Sequence, residues 1–404
     1  MSKTCPSHKT NKTWPMVRLG DVCEVQRGGS PRPIKDYITD STEGLNWIKI
    51  GDVEPAGKYI TQTVEKIKAS GLNKTRKVSA GDFLLSNSMS FGRPYILKID
   101  GCIHDGWLVL KGFSKTFTED FFYYLLRSPI VQEQFDKLAH GSTVRNLNTD
   151  VVSHVSLPLP PLSVQREIVA RLERELAAVE KMKKGFEELA ETARAEFKAE
   201  LKEVFGEISR GGAEMRRLGE ICELISDCPH MTAKDEGVGI PLIRTPNVGF
   251  TRLILAGVHR VSEDVYKQRT KRAIPLPGDL IFAREAPAGN VAVIQSGEKV
   301  CLGQRTVLLR LRKGCFSDYI AYSMLQPESQ KILIQRSTGS TVAHVNVCDI
   351  KTFPIHIPPL AVQRQIVARL DAAKARAEKL EAKAREGVAV CVTMRKAILK
   401  ESFA

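Results

Sequence analysis

The chain has no uninterrupted apolar run of 18 residues, so no segment reads as a membrane span. Its nine cysteines are scattered and no Cys-x-x-Cys pair occurs, which leaves neither a disulfide frame nor a zinc site and suits reduced thiols in a cytoplasmic protein. No Gly-x4-Gly-Lys-[Ser/Thr] phosphate loop is present, so nothing points to ATP hydrolysis. No Asp/Asn-Pro-Pro-Tyr/Phe motif of an amino-methyltransferase occurs, since both Pro-Pro pairs precede Leu. There is no acidic-plus-Lys nuclease cluster, and the eight histidines form no His-x3-His or His-Glu-x2-His pattern. His104-Asp105 reads as a structural polar contact rather than a catalytic pair. The stretch 1–14 is polar and lysine-containing, without the apolar core of a signal peptide, and reads as a disordered lead-in.

What is present is a repeat. Residues 141–172 read GSTVRNLNTDVVSHVSLPLPPLSVQREIVARL, and residues 339–370 read GSTVAHVNVCDIKTFPIHIPPLAVQRQIVARL, aligned without a gap at an offset of 198. Weaker echoes extend it: VRLGDVCEV (17–25) recurs as RRLGEICEL (216–224), and GDFLLSNSMSFGRPYI (81–96) as GDLIFAREAPAGNVAVI (278–294). The chain is two copies of one unit, with the frame kept and the middle varied. In each copy Pro-Pro-Leu ends an extended segment and opens a helix, because proline lacks the N–H of a sheet ladder and presets φ for a first helical turn.

Before each joint, short apolar runs between Gly, Pro and Asn clusters predict a mainly-β domain of about 150 residues. One helix is expected in each, over Glu119–Ala139 and Asp318–Arg336. After each joint, apolar residues recur at 3-4 spacing. Ile168, Leu172, Val179, Met182, Phe186 and Leu189 form one stripe, continuing to Ala193. Ile366, Leu370, Leu380, Met394 and Ile398, with Ala373, Ala377, Ala384 and Cys391 between, form the other. Each helix should run about 40 residues, roughly 60 Å. A narrow apolar stripe needs a partner, so the two helices should pair antiparallel, placing the domains at opposite ends about a pseudo-twofold axis. Gly185 and Gly387 are expected slack points. The fold class is therefore α/β (α+β), two mainly-β mixed domains separated by a two-helix antiparallel coiled coil.

The net charge of +14 divides as +5 in 1–162, −1 in 163–205, +5 in 206–360 and +5 in 361–404. Two basic domains suit a polyanion, nucleic acid first. Readers related by a twofold axis meet DNA half-sites about one helical turn apart, near 34–36 Å. Two readers with different loops imply an asymmetric, interrupted target. By residue type, the DNA-binding candidates in the first domain are Arg32, Lys35, Lys49, Asp52, the loop from Ser86 through Asn87 and Ser88 to Arg93, Arg145 and Asn148. In the second they are His230, Lys234, Arg244, Asn247, the loop from Arg284 to Asn290, Gln304, Arg305, His344 and Asn346. Arg and Lys reach guanine edges, Asn and Gln reach adenine, and all can hold phosphate. Asn148 and Asn346 occupy the same place in both copies, which fits a turn equally well. The repeated GSTV turns fit a phosphate contact or a plain closing loop.

The PPL-x-VQR-x-IVARL joints, each after GSTV and leading into a long helix, resemble the specificity subunit of type I restriction-modification systems, over about Pro15 to Ala404. The resemblance implies target-recognition domains at 15–160 and 209–358 and conserved helical regions at 161–208 and 359–404. It implies a non-catalytic protein of bacterial defence that binds double-stranded DNA and two modification subunits. Those subunits use S-adenosylmethionine to methylate adenine, and restriction subunits using ATP and magnesium join the full complex. It implies, too, that the central helix sets the spacer between half-sites. Family members often end in a Gly-Glu-Leu-like tail; the first copy has Gly206-Glu207-Ile208 there, and the second stops at Ala404. A DNA-binding regulator uncoupled from restriction is the alternative. An enzyme with a fused recognition domain lacks its motifs, and a coiled-coil scaffold for proteins would bind DNA weakly and without salt dependence.

Overall fold

The computed structural model describes residues 14–54, 57–87, 91–139, 147–229, 231–285, 288–335 and 344–403. The chain divides into two units, residues 1–185 with 387–404, and residues 186–386.

The first unit is closed at its base by Met16–Arg18, antiparallel to Ser156–Pro158. Above it lie two five-stranded sheets. In the sheet that contains Phe83–Ser86, Pro94–Leu97 and Trp107–Lys111, both faces are covered, and strand periodicity splits the side chains between two cores. Phe83, Leu85, Ile96, Leu108 and Leu110 face helices Glu119–Arg127 and Pro129–Ala139. Leu84, Tyr95, Leu97, Trp107 and Val109 face Ile48 and Ile103 of the other sheet.

The second unit repeats this plan. Glu214–Arg217 pairs with Pro354–Ile357. A four-stranded sheet packs Leu280, Phe282, Val291, Val293, Val307 and Leu309 against helices Ser317–Leu325 and Pro327–Gln335. Its other face, with Ile281, Ala292, Ile294 and Leu308, covers Ile243 and Leu302 of a three-stranded sheet. Where one helix was expected in each domain there are two, broken before Pro129 and Pro327. Proline disfavours a helical residue ahead of it and removes a helical N–H. Arg336 lies outside the described residues.

The long helices are α1 (Leu162–Arg210, 49 residues) and α2 (Leu360–Glu401, 42 residues). Helix α1 is longer than the expected 40 residues or so, with Ile208 packed on the core of the second unit. Both helices run unbroken through Gly185 and Gly387, and the division between the units falls at both. Within each unit the segments of α1 and α2 run antiparallel. In the first, Arg395 of α2 lies 3.9 Å from Glu180 of α1, and Leu399 and Phe403 share the core of Val169 and Leu172. In the second, Arg194 bonds Glu381, while Arg369 meets Glu200, Glu203 and Glu207.

The stripe differs in detail from the expected seam. Leu172, Val179, Ala193, Ile366, Leu370, Ala373, Ala377, Ala384 and Cys391 are buried, and Ile168, Phe186, Leu189, Leu380 and Ile398 are half-buried. Met182 (43% exposed) and Met394 (37%) are not in the seam. A strict seven-residue repeat drifts about 20° per heptad on a 3.6-residue helix, so the inward face leaves these positions. At the joints the stripe is instead wider, since Val169 and Val367 are also buried, each against the core of its own unit. Among the described residues no helix is long and apolar enough to cross a membrane.

Candidate nucleic-acid interface

In each unit, the hairpin loop that follows the most buried strand is held by the same bonds. In the first, Ser86 N donates to Arg93 O and Gly92 N to Ser86 O; in the second, Ala283 N donates to Asn290 O and Gly289 N to Ala283 O. Gly92 (φ 70°) and Gly289 (φ 96°) sit in left-handed backbone. The Gln132 amide donates to the Gly92 carbonyl and the Gln330 amide to the Gly289 carbonyl, and a Cβ on either glycine would press on that glutamine. Loop and helix therefore lock together.

The backbone beside each loop is also matched. Asn87 N donates to Gly106 O (3.0 Å), Leu147 N to Asn87 O (3.0 Å) and Gly28 N to Trp107 O (2.9 Å). The corresponding bonds are Arg284 N to Arg305 O (2.9 Å), Val345 N to Arg284 O (3.1 Å) and Cys228 N to Thr306 O (3.1 Å).

On that common frame the side chains differ. In the first unit they converge on Asp105. Ser30 Oγ donates to its carboxylate at 2.7 Å, and Arg32, 80% exposed, lies 3.5 Å from it. Asn87 Nδ2 and Arg27 Nε donate to its carbonyl. The Ser30 hydroxyl bond, with His104 and Arg32 nearby, holds the Asp105 carboxyl below the usual carboxylate range despite partial burial, so it is an anion at neutral pH. His104 receives Ile50 N at Nε2 and packs near Trp47 and Trp107; burial lowers its pKa.

In the second unit the same place holds a charged relay. Arg284, buried, donates from Nη1 to Asp227 and from Nε to Val345 O, and its Nη2 lies 2.8 Å from His344 Nε2. Arg284 can only donate, so Nε2 accepts and His344 carries its proton on Nδ1, which meets Glu285. The other Glu285 oxygen lies 2.9 Å from Arg305 Nε. Arg305 holds φ 64°, unusual for a residue with a side chain, and its side chain is 58% exposed.

The remaining candidates divide by their partners. Asp52 accepts from Lys49 N and Val64 N, and Asn148 accepts from Val151 N as a helix cap. Asn247 is buried, accepting from Arg244 N and donating to Ile254 O, and Asn290 donates to Val248 O. Each of these side chains ties backbone. Lys49 pairs with Glu65 at 2.6 Å, and Gln304 donates to Thr232 at 2.9 Å. Lys35, Arg93 and Lys234 are exposed, and Asn346 is half-buried before helix Val347–Lys351. Arg244 is half-buried with an unpartnered Nε. Ser88, Arg145, His230 and the GSTV turns lie outside the described residues. Among the described residues no group of three or more His, Cys, Asp and Glu side chains could hold a metal ion.

Residue-type reasoning passed over the glutamine of the repeated VQR. Gln165 and Gln363 are fully buried at the start of α1 and α2. Gln165 accepts from Thr118 N and donates to Thr116 O and Pro160 O. Gln363 accepts from Phe316 N and donates to Gly314 O and Pro358 O. About two turns further on, Tyr124 reaches Glu173 and Tyr322 reaches Asp371. The signal available in the sequence was a polar residue, identical in both copies, beside an apolar stripe.

A family model described as type I restriction modification DNA specificity domain matches residues 11–189 and again 211–388. The chain is 20% identical to the type I restriction enzyme EcoKI specificity subunit of Escherichia coli (strain K12), covering 98% of this chain and 89% of that one. It is 22% identical to the type I restriction enzyme MjaVIII specificity subunit of Methanocaldococcus jannaschii, covering 88% and 85%. Among solved structures it is similar to a chain from work on complex assembly and conformational transition of the type I R-M system, with TM-score 0.73, 23% identity and coverage of 98% and 99%. The HsdS subunit from Thermoanaerobacter tengcongensis gives TM-score 0.57, 24% identity and 98% coverage of each chain.

Proposed function

The chain belongs to the type I restriction modification DNA specificity family, and on that premise we propose that each of its domains reads one half of an asymmetric two-part DNA site. The observation that carries this reading is the matched frame with unmatched side chains: the same backbone bonds join Asn87 to Gly106, next to Asp105, in one unit and Arg284 to Arg305, next to Gln304, in the other. A shared task with a shared target would keep the side chains as well as the frame.

DNA sequence recognition is the family's function, and the relatives named above are all restriction-enzyme specificity subunits, which lends no weight to an uncoupled regulator. In this reading the chain is a non-catalytic cytoplasmic protein. Two modification subunits dock on it and transfer methyl groups from S-adenosylmethionine to adenine. Restriction subunits that use ATP and magnesium join them, and the length of α1 and α2 sets the number of unread base pairs. The exposed cations Arg32, Lys35, Arg93, Lys234 and Arg305, together with the predicted Arg145, supply phosphate or base contacts.

The test is the salt dependence of duplex binding by the chain with its modification subunits. Counterion release from six neutralised phosphates would cost about 10³ in affinity between 50 and 200 mM salt. Affinity that is flat across that range, or equal for any sequence, contradicts the reading.

A further inference from the structure

Resting on the DNA-specificity reading, we propose that Asp105 and Arg305 are the base-reading residues at neighbouring positions of the shared frame in the two domains, Arg305 taking a guanine and Asp105 a cytosine. The structure marks this place three ways. First, the backbone bonds around it are the same in both units while its side chains differ in charge at every position: Asn87, Asp105 and Gly106 stand where the second unit has Arg284, Gln304 and Arg305. Second, each key side chain is backed by at least one partner that is better buried than it is. Glu285 (18% exposed) and Arg284 (11%) stand behind Arg305 (58%), and buried Asn87 with Ser30 stands behind half-exposed Asp105. Third, Arg305 is held in left-handed backbone, a strain that persists where surrounding bonds impose it.

The chemistry follows. With Nε against Glu285, the rest of the Arg305 guanidinium keeps donors for an outside acceptor, and a fork of donors matches guanine O6 and N7 in the major groove. The Asp105 carboxylate donates nothing, so a base amino group is its partner, and cytosine N4 supplies one.

The test maps methylated sites made by the full chain co-expressed with its modification subunits. Wild type should give one two-part motif. Arg305→Lys keeps the charge and loses the fork. It should relax one guanine position of a single half-site, cutting discrimination there on the order of 10- to 100-fold, with the other half unchanged. Asp105→Asn keeps the shape and adds a donor, and should shift one cytosine position of the other half toward adenine. If both variants lower methylation evenly at every site with the motif intact, these residues hold phosphate or structure only and the proposal falls. A wild type without any two-part motif overturns the underlying reading, and the proposal with it.

Discussion

Gln165→Ala is expected to lower the unfolding midpoint of the first unit by roughly 6–12 °C while leaving that of the second near its wild-type value; Gln363→Ala should do the reverse. Each amide is fully buried and makes three bonds to backbone groups, one accepted and two donated. Truncation leaves those groups without partners in a space closed to water, about 3 kcal/mol in all. For units of roughly 200 residues each kilocalorie moves the midpoint by about 2–4 °C. Calorimetry resolves the two transitions. Gln165→Met keeps the volume and removes the bonds, so a shift as large as that of alanine assigns the effect to hydrogen bonding. A shift near zero for alanine would mean that the glutamine is replaceable, and that the repeated motif has some other cause.

The second large effect concerns Arg284. Its guanidinium donates to Asp227 and to Val345 O and sits against His344, with 11% of the side chain exposed. Arg284→Ala takes the cation from a shielded carboxylate, which keeps its bond from Cys228 N, and the donors from a ring nitrogen and a carbonyl at once. The expected cost is about 3 kcal/mol, taken at the low end because Asp227 and His344 keep some access to water. The loss should also unfasten His344 from Glu285, and with it the support behind Arg305. Denaturant unfolding should therefore show an earlier midpoint, and methylation should weaken at one half-site out of proportion to the folded fraction. Arg284→Lys restores one charge but not the fan of donors, so little of either should return. Full stability in Arg284→Ala would remove the relay as an organising feature.

The repeat made the frame legible: Pro-Pro-Leu opens α1 and α2 at Leu162 and Leu360, as proline chemistry dictates. Antiparallel pairing followed from stripes that one helix alone would leave wet. The stripe's drift was not legible, because a seven-residue repeat and a 3.6-residue helix agree only over a few turns; Met182 and Met394 fell outside it. The breaks before Pro129 and Pro327 were visible as residues, since proline opens a helix more readily than it continues one.

At the interface, residue type alone does not separate base readers from turn caps. Asp52, Asn148 and Asn247 have the groups that read bases, and the same groups cap turns, which is what they do here. Arg305 was chosen for its type and is also set apart by its backbone. Asp105 drew notice only as a neighbour of His104. Its partners Ser30 and Asn87 are distant in sequence, so nothing short of the fold could gather them.

The most direct test of the account exchanges residues 14–155 for the corresponding segment of a relative with a different target and maps methylated adenines by single-molecule sequencing. The account predicts a two-part motif in wild type, and a motif changed in one half only, at the same gap, in the exchange. A change in both halves, or a continuous palindrome in either chain, would contradict the assignment of one half-site to each domain.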